Sequence, residues 1–177
     1  ISADTIIIDT SVNAVNDAPE LTPNNITASA SDVSGGLTVG SGDSALLKDA
    51  TDIDNSDSDL IIGSFGDESG SLVDVGQPQS ISISFVDDGN APTSGTVDLT
   101  IRQDGSYELA HLDIEGLGAG ESASGDFFYT VEDGSGGVSA EQQATLTIEG
   151  GSTMDVDLSA GPFLSNTFAV EGYNEDG

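Results

Sequence analysis

The chain has 177 residues, enough for one domain of ordinary size with extensions and a real core. It carries 32 Asp and Glu against only Lys48 and Arg102, a formal charge of −30. Nucleic acid and anionic membrane are poor partners for such a chain, because phosphate binding is carried by Lys and Arg. The absence of Cys excludes a disulfide framework, a thiolate metal site and a Cys nucleophile.

Charge of one sign destabilises a compact state by self-repulsion. Bound cations are one remedy, and screening by high salt is the other. Aspartate outnumbers glutamate by 22 to 10. That bias favours loops and turns, where a short carboxylate bonds its own backbone. No apolar run approaches the roughly 18 residues of a membrane span, and no signal peptide is visible. The chain starts at Ile1, which reads as processing or excision from something longer.

Taken in order, the elements are short and β-rich between turn signals, the pattern of an all-β sandwich or barrel. Residues 4–12 (DTIIIDTSV) read as a strand with both faces apolar, and residues 12–21 (VNAVNDAPEL) as a linker entering a domain, since Pro19 blocks helix. Residues 25–33 and 36–39 carry weak strand signals around a Gly35-Gly36 turn. Residues 59–65 leave an acidic loop as a strand. Residues 66–79 form a Gly/Asp/Ser-rich loop with a short apolar piece, 72–75. Ile81, Ile83 and Phe85 alternate, as do Val97, Leu99 and Ile101; Asp104-Gly105 marks a hairpin to Tyr107 and Leu109. Residues 113–122 read as a connection. Phe127, Tyr129 and Val131 share one face of the next strand, and Ala144, Leu146 and Ile148 one face of the last. Residues 150–177 do not fit this unit and read as an extension or an added hairpin.

The acidic loop lies in residues 46–62 (LLKDATDIDNSDSDLII). Asp49, Asp52, Asp54, Asp57 and Asp59 fall within eleven residues. Unit charges a few ångströms apart interact by about 1 kcal/mol in water and by more near a protein surface. A hard divalent cation relieves this: calcium takes about 6–8 oxygen ligands, and short Asp side chains on a tight loop suit it. The expected cofactor is therefore Ca2+, with a solvated loop as the alternative.

This chain resembles the cadherin-like tandem repeats of large bacterial surface adhesins, in particular the VCBS-type repeat. Residues 12–20 (VNAVNDAPE) are similar to the linker between repeats, and residues 46–66 to the early acidic loop with its LxxDxxDxDxD pattern. Residues 101–150 resemble the C-terminal half, with a DG hairpin, a crossing loop ending in GE and an FxYTVxDGxGG strand and turn. The resemblance covers about residues 12–149. It implies a Greek-key β-sandwich of cadherin or immunoglobulin type, export from a bacterial cell, and non-enzymatic work in adhesion or matrix. The Asp52/Asp54 pair is similar to the family's DxD calcium motif, which Asp49, Asp57 and Asp59 would complete. Asn16 and Asp17 resemble linker residues that cap a calcium site between repeats; an Asx-turn before Pro19 is the alternative. Glu132 and Asp133 end a strand beneath the same pole, where Asp133-Gly134 is equally a turn, as is Asp87-Asp88 before Gly89.

Other chemistry has little support. His111 is the only histidine, which argues against a transition-metal cluster or a His-based triad. With no Trp, few aromatics remain to line a sugar cleft for a carboxylate pair. Lys48, read as buried among acids, suits an ion pair better than an isopeptide bond. Asn25-Ile26-Thr27 is a glycosylation sequon.

The expected organisation is an N-terminal strand arm (1–12), a calcium-binding sandwich (13–149) and a C-terminal extension (150–177). The expected role is a calcium-stabilised, non-enzymatic module of an extracellular adhesin or matrix protein, joined to neighbouring repeats. Two alternatives stand beside it. A filament subunit would donate the strand holding Ile6–Ile8 head-to-tail to an identical subunit. A carbohydrate-binding module would take a cell-surface or matrix glycan.

Overall fold

The computed structural model describes residues 15–42, 45–86 and 92–151. The expected strand of residues 4–12, the Asp87-Asp88 turn and the expected hairpin beyond Gly151 lie outside the described residues.

The described chain is almost entirely β. In order it runs β1 (Glu20–Leu21), β2 (Ile26–Ser29), α1 (Ala30–Ser34), β3 (Leu37–Val39), β4 (Ala50–Thr51), a 3-10 turn (Asp57–Asp59), β5 (Ile61–Gly66), β6 (Val73–Asp74), β7 (Gln79–Phe85), β8 (Thr93–Ile101), β9 (Tyr107–Asp113), β10 (Ser122–Glu132) and β11 (Gln142–Glu149). The period-2 alternation of the longer strands is the cause: each buries every second side chain and leaves the others outside. Ile81, Ile83 and Phe85, then Val97, Leu99 and Ile101, and then Ala144, Leu146 and Ile148 all point into one core.

Strand β10 organises the sandwich. One of its edges pairs with β11 from Ser122 to Tyr129. Its other edge meets β7 at Ser124 opposite Ser84, and β5 from Phe128 to Glu132. Two arms therefore leave the same edge, one through β7, β8, β9 and β3 and one through β5 and β6. The sheet curls at this fork, and Phe127 and Tyr129 stack there with ring centroids 5.8 Å apart. Gly125 sits at the crossing: a β-carbon at this position would run into the Ser82 carbonyl oxygen. Where β7 turns away, Asp67 takes over its free edge, accepting from Ser82 N at 2.8 Å and Ser82 Oγ at 3.0 Å.

Several expectations shift. The stretch 25–33 is a strand only as far as Ser29; Ser29 Oγ then accepts from Asp32 N at 3.1 Å and opens α1, with Val33 buried beneath it. Asp59 belongs to the 3-10 turn, and the strand after the acidic loop starts at Ile61. The connection after β9 is shorter than expected, because Asp113 and Ser122 are already in strands. The Gly-rich loop after β5 folds back as β6, pairing Ser64 with Asp74 and Phe65 with Val73.

The Asp104-Gly105 turn does more than reverse the chain. Its carbonyls receive both feet of the acidic loop: Leu46 N donates to Gly105 O at 3.1 Å and Ile62 N to Gln103 O at 2.9 Å. Tyr129 ties the loop down from the core. Its hydroxyl accepts from Asn24 N at 3.0 Å and donates to Leu46 O at 3.4 Å.

Two substitutions test the fork. Phe127→Ala is expected to cost about 3–5 kcal/mol in urea unfolding, since the ring is fully buried. Gly125→Ala is expected to destabilise the chain although it adds one methyl group. A loss under about 1 kcal/mol for Phe127→Ala would contradict its place in the core.

Candidate functional site at the linker pole

Three segments distant in sequence meet at one end of the sandwich: the linker from Val15, the acidic loop, and the turn 133–137 after β10. Asp133 is the meeting point. It is only 2% exposed, and both its oxygens are engaged. Its Oδ1 accepts from Ser135 N at 2.7 Å and Gly137 N at 2.9 Å. Its Oδ2 accepts from Asn16 Nδ2 at 2.5 Å and Asn55 Nδ2 at 3.4 Å. These donors hold the carboxyl below its ordinary range, the Asn16 amide most of all, against the opposing effect of burial.

The glycines of DGSGG make this approach feasible. Gly136 has φ +103, which suits glycine. At Gly137 a β-carbon would strike the Asp133 carboxylate and lie 2.7 Å from Asp17 O and 2.9 Å from Asn16 Nδ2. Any larger residue there would push the linker off the domain.

The acidic loop reaches the linker through Asp54 and Asn55, and Asp52 shapes it. Asp54 Oδ2 accepts from Asp17 N at 2.9 Å. Asp52 Oδ1 closes an Asx-turn, accepting from Asp54 N and Asn55 N, each at 2.7 Å. Asp52 Oδ2 is buried with no hydrogen-bond partner. A concavity of about 440 Å³ between the linker and the acidic loop is lined by Asp17, Ala18, Glu20, Thr51, Asp52 and Ile53.

Asn55 is the residue that sequence reasoning missed. Its Nδ2 lies 3.2 Å from Asn16 Oδ1, 3.3 Å from Asp52 Oδ1 and 3.4 Å from Asp133 Oδ2. Its Oδ1 lies 3.3 Å from Ser135 Oγ. The available signal was its type: within residues 49–59 it is the one side chain with both N–H donors and a carbonyl acceptor.

Of the residues expected to bind metal, Asn16, Asp17, Asp52, Asp54 and Asp133 are brought together. Four are placed otherwise. Asp49 pairs with Lys48 at 3.8 Å. Asp57 and Asp59 are exposed in the 3-10 turn. Glu132 lies across β5, where a β-carbon on Gly63 would fall 2.5 Å from its Oε1. Among the described residues, no three His, Cys, Asp or Glu side chains are already gathered as a metal cluster. Lys48 is corrected: it is not buried, its side chain being 46% exposed because the loop carries it outward.

The donor set at the pole nevertheless fits a hard cation. All its expected ligands offer oxygen, and Asp52 Oδ2 is an orphaned carboxylate oxygen of the kind a cation would satisfy. His111 stands elsewhere, on a bulge of β9 with φ +48. Its Nδ1 lies 3.1 Å from Asp98 Oδ2, while Ser80 Oγ donates to Asp98 Oδ1 at 2.7 Å. The carboxylate thus lies between the hydroxyl and the imidazole.

No protein-family model, no curated protein and no solved structure matches this chain.

The depressed Asp133 carboxyl gives a pH test. A carboxyl whose folded pKa is lowered stabilises the fold above its ordinary range, near pH 4, and loses that contribution as pH falls through the folded value. Asp104 is lowered in the same direction, chiefly by the Ser106 hydroxyl. Melted in chelator, Asp133→Asn is expected to be less stable than the parent chain at pH 7, with the gap closing below about pH 4. A gap constant with pH would contradict the ionised, hydrogen-bonded Asp133.

Proposed function

We propose that this chain is a non-enzymatic, extracellular structural module of a bacterial adhesin or matrix protein, a β-sandwich stabilised by calcium at its linker pole. The reading is carried by one observation: oxygens from the linker, the acidic loop and the post-β10 turn (Asn16 Oδ1, Asp52 Oδ1 and Asp133 Oδ2) converge on the Asn55 amide, and the second Asp52 oxygen is buried and unpartnered. Asn16, Asp17, Asp52, Asp54 and Asp133 would hold the ion. Calcium supplies positive charge where the fold gathers carboxylates, in a chain of formal charge −30. Because the ligands come from both linker and domain, binding would stiffen the angle at which the chain enters. That is the property a module in a load-bearing array needs.

Other features agree. The all-β sandwich is the fold that the resemblance implies. No helix among the described residues is long and apolar enough to cross a membrane. The lone His111 makes its contact with Asp98 on the open face of the sheet.

Thermal melts in calcium, in chelator and in sodium chloride of equal ionic strength test the reading. An ion that binds only the folded state contributes about 2.7 kcal/mol when it exceeds its dissociation constant a hundredfold. For a chain of this size that is a Tm increase of about 5–10 °C. Calcium is expected to give it, sodium chloride is not, and Asp52→Asn should abolish most of it. Equal stabilisation by sodium chloride would assign the acidity to screening, as in a halophilic protein.

A further inference from the structure

The Asn55 amide nitrogen occupies the focus of three oxygens, one from each converging segment: Asn16 Oδ1, Asp52 Oδ1 and Asp133 Oδ2. Two N–H groups are shared among three acceptors. All three distances, 3.2 to 3.4 Å, lie at or beyond the long end for N–H···O bonds. The nitrogen is central but weakly held.

We infer that the Asn55 carboxamide is a two-way switch for this pole: it presents its nitrogen to the three oxygens, as in this structure, and turns to present its oxygen when calcium is held. The inference deepens the calcium reading and rests on it. Three features support the turn. The two ends of a carboxamide have the same shape, so a half-rotation needs no repacking. The outward end faces Ser135 Oγ at 3.3 Å, and a hydroxyl both donates and accepts, so Ser135 serves either orientation. Asn16 Nδ2 holds Asp133 by a bond that does not involve Asn55.

The electrostatics make the two orientations exclusive. With the oxygen inward, four oxygens face one another, two of them on carboxylates, and only a cation reconciles them. With the nitrogen inward, its N–H groups reconcile three. Asn55 therefore keeps the linker attached without a metal and becomes a ligand with one. The regulated quantity is the firmness of the linker joint, which rises with calcium but does not fall to zero without it.

Alanine separates this switch from simple competition. If Asn55 becomes a ligand, Asn55→Ala should weaken calcium binding about tenfold by calorimetry with calcium chloride, while Asn55→Asp, which keeps an oxygen, binds at least as tightly as the parent chain. If Asn55 merely blocks the ion, Asn55→Ala binds more tightly. The second readout is NMR of the parent chain: the Asn55 side-chain NH₂ signals should move in step with calcium saturation. That readout stands if Asn55→Ala does not fold. Calcium binding by the parent chain with unchanged or tighter binding by Asn55→Ala, or with unmoved NH₂ signals, overturns the switch and leaves the calcium reading intact. Binding by neither the parent chain nor Asn55→Asp overturns the calcium reading, and the switch with it.

Discussion

The Asp133 carboxylate is the contact on which the linker pole depends. It is a negative charge taken almost wholly out of water, in a chain with only two strong cations, and neither of them is beside it. A buried carboxylate is tolerable only if its lone pairs are filled. Here backbone N–H groups of its own turn fill one oxygen, and amides from the linker and the acidic loop fill the other. The consequence is geometric. Filling Asp133 requires that Asn16 come down onto the domain, that Gly137 carry no side chain, and that the acidic loop bring Asn55 across. The direction in which the chain enters is thus set by the solvation needs of one carboxyl group.

The sandwich supplies the frame for that contact. Strand β10 runs from the fork at Ser124 to the pole at Glu132, so the core packing of Phe127, Tyr129 and Val131 is continuous with the placement of Asp133 two residues after Val131. The acidic loop is fixed at both feet by the β8–β9 turn and from below by the Tyr129 hydroxyl. Its charge is therefore presented on a rigid base. A flexible acidic loop would spread its carboxylates apart; this one keeps Asp52 in its own turn and Asp54 against the linker.

The strands were legible in the sequence because half-burial imposes a two-residue period that no other element produces. Residues 81–85, 97–101, 107–109, 127–131 and 144–148 carry it, and the apolar side chains at their alternate positions fall on the core. The helix at Ala30–Ser34 was not legible: five residues rich in Ser and Asp carry no period, and only its Ser29 cap and the buried Val33 justify it in three dimensions. The pole was half legible. Asp52, Asp54 and Asn16 announce themselves by composition and by the linker motif. Asn55 does not, because its role lies in contacts with Asn16 and Asp133, 39 and 78 positions away. The acidic run likewise did not reveal which of its carboxylates face the linker, since a loop has no period to sort inward from outward. Asp49, Asp57 and Asp59 differ from Asp52 and Asp54 only in where the turns send them.

The most direct test of a specific cation at this pole is a calcium titration followed through backbone amide resonances. A specific site predicts saturable shifts with a single affinity, concentrated at residues 16–17, 52–55 and 133–137, three segments that only the fold brings together. Small, unsaturating shifts spread over every exposed Asp and Glu would instead describe an ion atmosphere around an acidic surface, and would contradict a specific calcium site at this pole.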